Sequence, residues 1–189
     1  MLQPIHLMDD LAKVPSGQIM KTLLALTLSL LVCASCLAYP DLPDAAVTPG
    51  KINPAVSQGN IKQTICVSGW TKTIRPPASY TTNLKVQQLK SGPYKSNLGP
   101  AAFEEDHLIS LEIGGNPTDQ KNLWPQVWNP ADGHGAHKKD HLENTLKSLV
   151  CAGTITLKEA QDAISSNWLT AFDKYVTNPP TKFSKRITH

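Results

Sequence analysis

The stretch EEDHLISLEIGG at residues 104–115, followed by KNLWP at residues 121–125, carries the most information in this sequence. An adjacent carboxyl and imidazole, Asp106 and His107, open a segment in which apolar residues alternate with polar ones. Two glycines then allow a tight turn, and a second apolar segment begins directly after Asn122. The pattern predicts a strand that starts at the Asp-His pair, a glycine turn and a second extended segment.

Helices are predicted on both sides of this stretch. A short one is expected over residues 81–89, and a longer one begins near His137 and should stop at Gly153, a typical C-terminal breaker. The core-facing residues of the longer helix would be Leu142, Leu146, Leu149 and Val150. The sequence TLKE at residues 156–159 then fits a capping box that opens a last helix, which reaches about Val176.

The Asp-His pair, the two glycines and the Asn-Leu pair at residues 122–123 resemble the motif of the HNH, or ββα-metal, endonucleases. In that family the motif ends with a His or Asn at the start of a helix, which His137 matches. The resemblance covers residues 103–150 and implies an α+β fold, a ββα-metal (HNH-like) core with additional helices in a single domain. The chain departs from the family at Glu104, where many members have another histidine, in a longer loop before His137, and in having no Cys-x-x-Cys pair within residues 103–150.

The resemblance also implies a role for each of these residues. His107 would be the general base that deprotonates a water, while Asp106 and His137 would bind a divalent metal ion that offsets the negative charge of the phosphate. Asn122 would hydrogen-bond the loop backbone and orient His107. Mg²⁺ is the first expectation for the ion, with Mn²⁺, Ni²⁺ or Zn²⁺ as alternatives.

Other side chains near the helix start have competing interpretations. His134 is an alternative to His137 as the last metal ligand. Trp124 and Trp128 would either stack on bases or pack in the core. Lys138 and Lys139 form a basic pair near the helix start. Such a pair usually lies on a solvated helix face, but it is also suited to phosphate contacts. The predicted substrate contacts are Lys138, Lys139 and His141.

The first 38 residues have the character of an upstream extension and a signal peptide. Translation is predicted to start at Met20, which is followed by Lys21, an apolar run over residues 23–32 and small residues before Tyr39. Lipidation at a cysteine within residues 33–36 is an alternative. The apolar run is too short to span a bilayer comfortably, so stable membrane insertion is not expected after cleavage. The sequence therefore predicts a periplasmic or secreted protein.

Two cysteines, Cys66 and Cys151, remain outside the predicted signal peptide. Because exported proteins meet oxidising conditions, the pair is expected to form a disulfide. Two buried free thiols are the alternative.

The rest of the chain divides into a Pro- and Gly-rich extended arm at residues 39–60, a nuclease domain at residues 61–178 and a mobile tail at residues 179–189. The net charge of +3 permits nucleic-acid binding without itself indicating it. The predicted function is an exported, metal-dependent endonuclease that acts on DNA rather than RNA, with no protein partner indicated. The alternatives are a non-catalytic secreted binding domain with a degenerate HNH-like site and a phosphodiesterase with a different substrate.

Overall fold

The computed structural model describes residues 41–130 and 133–179. The elements of the described residues are helix α1 (Trp70–Ile74), helix α2 (Ala78–Gln88), strand β1 (Phe103–His107), strand β2 (Leu123–Val127), helix α3 (Ala136–Cys151) and helix α4 (Leu157–Phe172). The two strands form an antiparallel sheet, and a π-helical turn at Asp173–Thr177 continues α4. The predicted α+β class is confirmed. The predicted signal peptide and residues 180–189 of the predicted tail lie outside the described residues.

Strand β1 ends at the Asp-His pair, where the sequence predicted a strand that begins there. Asp106 pairs with Trp124 and His107 with Leu123, and the chain then leaves the sheet. The reason is local capping, because the Ser110 hydroxyl accepts a hydrogen bond from the Glu112 amide (3.1 Å) and starts a 3-10 turn at Leu111–Ile113. The alternating apolar residues are still buried, but in a loop that packs against the helices.

Helices α3 and α4 form most of the core. The predicted stripe on α3 is buried as expected, and α3 ends at Cys151, close to Gly153 with its positive φ of 70°. On α4 the Thr156 hydroxyl accepts from the Glu159 amide at 3.0 Å, which is half of the predicted capping box. The core residues of α4 are Leu157, Ala160, Ile164 and Trp168. Burial of a leucine or isoleucine side chain such as Leu157 or Ile164 contributes about 1.5–3 kcal/mol.

The last helix is less regular than its apolar spacing predicts. Asn167 has an extended backbone within α4, and its side-chain oxygen accepts from the Thr170 amide at 3.0 Å. This is the capping geometry of asparagine, so the helix restarts after Asn167. The Glu159 carboxylate accepts from the Tyr175 hydroxyl at 3.1 Å, which ties the π-helical turn back to the start of α4.

Helix α2 begins three residues earlier than predicted, directly after Pro77, which sets the extended corner that follows α1. Over residues 41–57 the predicted arm has no helix or strand, but it is bonded to the loop between the strands. The amide of Gly50 donates to the Lys121 carbonyl at 2.9 Å, and that of Asn53 to the Gly114 carbonyl at 2.8 Å. The arm therefore belongs to the wall of the site described below.

The predicted disulfide is confirmed. Cys66 and Cys151 are bonded, with a Cα–Cα distance of 5.7 Å, and join the turn before α1 to the last residue of α3. Within residues 41–130 and 133–179, none of the helices has the length and apolar character needed to span a bilayer.

Candidate functional site

The loop between β1 and β2 folds tightly over the end of β1. Gly114 has a φ of 77°, in the left-handed region that favours glycine. A Cβ on Gly115 would lie 1.7 Å from the carbonyl oxygen of Ile109, so no other residue fits there. The predicted Gly-Gly pair is therefore required for the path of the chain.

Asn122 is fully buried and crosslinks the backbone of this loop. Its Oδ1 accepts from the amides of Ile109 (2.9 Å) and Lys51 (3.2 Å), and its Nδ2 donates to the carbonyls of Ile109 and Asn116 (both 3.0 Å). These four bonds use both donors and both acceptor positions of the amide. The crosslink across the loop is the one the sequence predicted, and it leaves Asn122 no oxygen for a metal ion.

His107 lies at the end of β1 with only 5% of its surface exposed. Its Nε2 is 3.0 Å from the carbonyl oxygen of Pro117, and because a carbonyl can only accept, Nε2 carries the hydrogen. The lone pair of the neutral ring is therefore on Nδ1. Burial lowers the pKa of His107 to about 4, against the opposing effect of the Pro117 carbonyl, so the imidazole is neutral at pH 7.

Arg75 is an exposed cation whose charge acts on this imidazole. After burial, its charge is a further cause of the low pKa of His107. Arg75 directly follows the last residue of α1. The Tyr80 hydroxyl donates to the carbonyl of Thr118, next to Pro117, at 2.6 Å, and this bond attaches the segment after α1 to the loop between β1 and β2. A solvent-exposed guanidinium near a neutral imidazole is suited to holding a phosphate.

On the other side of β1, Asp106 is paired with Lys139 of α3. The Lys139 ammonium lies 2.8 Å from Asp106 Oδ2, 2.5 Å from Glu143 Oε1 and 2.8 Å from the carbonyl oxygen of His107. Ser110 donates to the second oxygen of Glu143 at 2.7 Å. Burial would lower the pKa of Lys139, but the carboxylates of Asp106 and Glu143 outweigh it and raise that pKa, so the ammonium stays charged.

The acidic residues before Asp106 are shielded from water to different degrees. Burial, with a contribution from Asp106, raises the pKa of Glu104 to about 7 and that of Glu105 to about 8. Both oxygens of Glu105 lack a hydrogen-bond partner within the described part of the chain. Glu105 is therefore protonated at neutral pH.

The histidines near the start of α3 contact residues other than the Asp-His pair of β1. The His137 side chain is 65% exposed, and its ring lies 5.2 Å from that of Trp128. His134 Nδ1 is 3.6 Å from Asp41 Oδ2. His141 and Lys138 both contact the ring of Phe172, the lysine at 4.7 Å from its centre.

The predicted metal ligands do not fit a metal ion in this arrangement. Across residues 41–130 and 133–179, no three His, Cys, Asp or Glu side chains are grouped so that they could hold one. Asp106 Oδ2 is paired with the Lys139 ammonium, which it shares with Glu143, and the side-chain oxygen of Asn122 is fully used. The roles assigned to Asp106, His137 and His134 stay predictions, and no chemical step is derived from them.

Lys139 is the residue whose position differs most from its predicted one. The sequence paired it with Lys138 as a substrate contact, but its side chain is 1% exposed. The helical spacing contained a signal, since Lys139 precedes Leu142 and Leu146 by three and seven residues and shares their buried face. Glu143, one turn further on, was missed with it. Arg75 was missed because no local pattern relates it to His107, although it is one of two arginines in the chain.

Comparisons of the chain with protein-family models, with curated proteins and with solved structures found no match.

Proposed function

We propose that this protein is an exported nuclease that hydrolyses phosphodiester bonds in nucleic acid, DNA rather than RNA, with His107 as the general base. The observation that carries the proposal is the neutral imidazole of His107, held by the Pro117 carbonyl with its Nδ1 lone pair free of that bond. A base must be unprotonated before it can take a proton, and this one is unprotonated at neutral pH.

The reaction needs a base and a positive charge. Nδ1 of His107 takes a proton from water, and the resulting hydroxide oxygen attacks phosphorus and expels one ester oxygen, which is protonated by solvent. Arg75 holds the phosphate and offsets its negative charge, since guanidinium and phosphate form paired, charge-assisted hydrogen bonds. Asn122 keeps the loop in place around this centre. A divalent ion would supply further charge compensation, but its requirement is decided by the chelator experiment below.

Export is part of the proposal. The predicted signal peptide and the Cys66–Cys151 disulfide both suit a periplasmic or secreted protein, because disulfides persist in oxidising compartments.

A second candidate function is a non-catalytic binding domain. Two observations favour it: His107 is 5% exposed, and Asp106 is paired with the Lys139 ammonium. A substrate could then contact the surface at Trp128, His137 and Lys138 without being cut.

Plasmid cleavage by the purified protein separates these functions. The wild type should convert supercoiled DNA to nicked and linear forms, and His107→Ala should reduce the rate by about 100-fold or more in a variant that still folds. Its melting temperature should fall, because the buried ring and its bond to the Pro117 carbonyl are lost. Arg75→Ala should raise KM and also raise the pKa of His107, measured by NMR. Lys158→Ala, at an 81% exposed position on α4, is the control. A parallel series in EDTA reports the metal requirement.

DNA that the wild type binds but leaves intact, with and without added divalent metal, would favour the binding domain. Undiminished cleavage by a folded His107→Ala variant would refute the assignment of the base.

A further inference from the structure

We propose that Lys139 is a positioning residue that occupies, beside Asp106, the place expected for a metal ion. The resemblance to ββα-metal enzymes makes Asp106 a metal ligand, whereas the geometry makes it the counter-ion of a buried ammonium. The inference rests on the proposed function for its kinetic part and on geometry alone for its metal-binding part.

Three oxygen atoms surround the ammonium of Lys139. Its Nζ donates to Glu143 Oε1 (2.5 Å) and to the His107 carbonyl (2.8 Å), and it forms an ion pair with Asp106 Oδ2 (2.8 Å). Three oxygen donors around one positive centre are what a hard cation would otherwise receive. A divalent ion on the same oxygens would have to displace the ammonium or lie against it, and like charges repel.

The same contacts position the imidazole. The His107 carbonyl belongs to the residue that carries the proposed base, so Lys139 fixes that backbone against α3. Glu143 extends the connection to the loop, because the Ser110 hydroxyl donates to it at 2.7 Å. The Lys139–Glu143 pair therefore joins the helix to the end of β1 and to the loop.

Removing Lys139 would change the site in a defined way. Asp106 and Glu143 would be left as two buried carboxylates without their counter-ion, which is strongly unfavourable unless they gain protons or a cation. The variant should therefore bind a divalent ion better than the wild type does. This is the opposite of what the family resemblance predicts.

Calorimetric titration with Mn²⁺ tests this placement in the full chain. The wild type and Asp106→Asn should give the same titration. Lys139→Met should bind Mn²⁺ about tenfold or more tightly than the wild type does. The double variant Lys139→Met/Asp106→Asn should lose this gain. Lys158→Met removes the exposed lysine of the matching i,i+4 pair with Asp162 and should titrate like the wild type.

A wild type that binds Mn²⁺ about tenfold more tightly than Asp106→Asn would overturn the proposal. A folded Lys139→Met variant with no gain would also overturn it. If Lys139→Met does not fold, the comparison of wild type with Asp106→Asn decides alone.

Kinetics test the positioning role. Lys139→Met should lower kcat by about tenfold or more while KM stays within roughly threefold, and Lys139→Arg should recover part of kcat. An unchanged kcat in a folded Lys139→Met variant would contradict the role. If the wild type cleaves no nucleic acid, the proposed function fails, but the Mn²⁺ titrations still decide where Lys139 acts.

Discussion

Glu105 is a carboxyl group that the fold stabilises in its neutral form. It lies in β1 opposite Pro125, a residue without an amide hydrogen. Only 8% of the surface of Glu105 is exposed. Burial and the nearby Asp106 raise its pKa from 4.5 to about 8, against the effect of Lys85. The folded protein therefore keeps a proton that the unfolded chain releases above pH 4.5.

This difference makes the free energy of unfolding depend on pH. Between pH 4.5 and about 8 the native state binds more protons than the unfolded state, so the contribution of Glu105 to stability falls as pH rises. Glu105→Gln, which cannot ionise, should match the wild type near pH 4 and exceed its stability at pH 8 by roughly 2–4 kcal/mol. Urea denaturation across this pH range measures the difference.

Glu112 provides the control for this prediction. Its carboxylate is partly exposed and pairs with Lys147 at 3.2 Å. Glu112→Gln removes this ion pair and should not be more stable than the wild type at pH 8. A Glu105→Gln variant whose stability follows that of the wild type at every pH would show that Glu105 ionises normally in the fold.

At the scale of elements, the loop between β1 and β2 depends on one close approach. Gly115→Ala would place a Cβ 1.7 Å from the Ile109 carbonyl oxygen and 2.9 Å from Asn122 Nδ2. The loop would have to open, at a cost of about 3 kcal/mol or more, and Asn122 would lose its bonds. The midpoint of urea denaturation should fall accordingly.

Gly99 is the matched control, since a Cβ there meets nothing within 4 Å. Gly99→Ala should change stability by less than about 0.5 kcal/mol. Equal midpoints for the Gly115→Ala variant and the wild type would mean that the loop has room that its geometry does not show.

The elements that the sequence predicted well are those specified locally. Helices α3 and α4 follow from apolar spacing and from end signals such as Thr156 and Gly153, because these act within one or two turns. The start of β1 was misplaced because alternation over residues 108–113 also suits a buried loop. Lys139 reaches Asp106 and Arg75 acts on His107, partners more than thirty residues away. Helical spacing indicates the buried face of Lys139, but no local pattern specifies these distant partners.

At the scale of the whole molecule, the disulfide joins two distant parts of the chain. Cys66 and Cys151 are 85 residues apart, so the bond restricts a long loop in the unfolded state, worth about 4 kcal/mol in the chain-entropy model. Reduction should lower the melting temperature by several degrees, and the double variant Cys66→Ser/Cys151→Ser should melt with the reduced wild type. An equal melting temperature with and without reductant would contradict this.

The central claim is that the buried, neutral imidazole of His107 is the base of a nuclease. The pH dependence of kcat/KM for DNA cleavage, measured beside the NMR titration of His107, tests it most directly. Because the base acts only when unprotonated, the rate should be flat at neutral pH and fall about tenfold per unit as pH drops below about 4, where His107 itself titrates. An acid limb near 6.5 in a folded protein whose His107 titrates near 4 would contradict the claim.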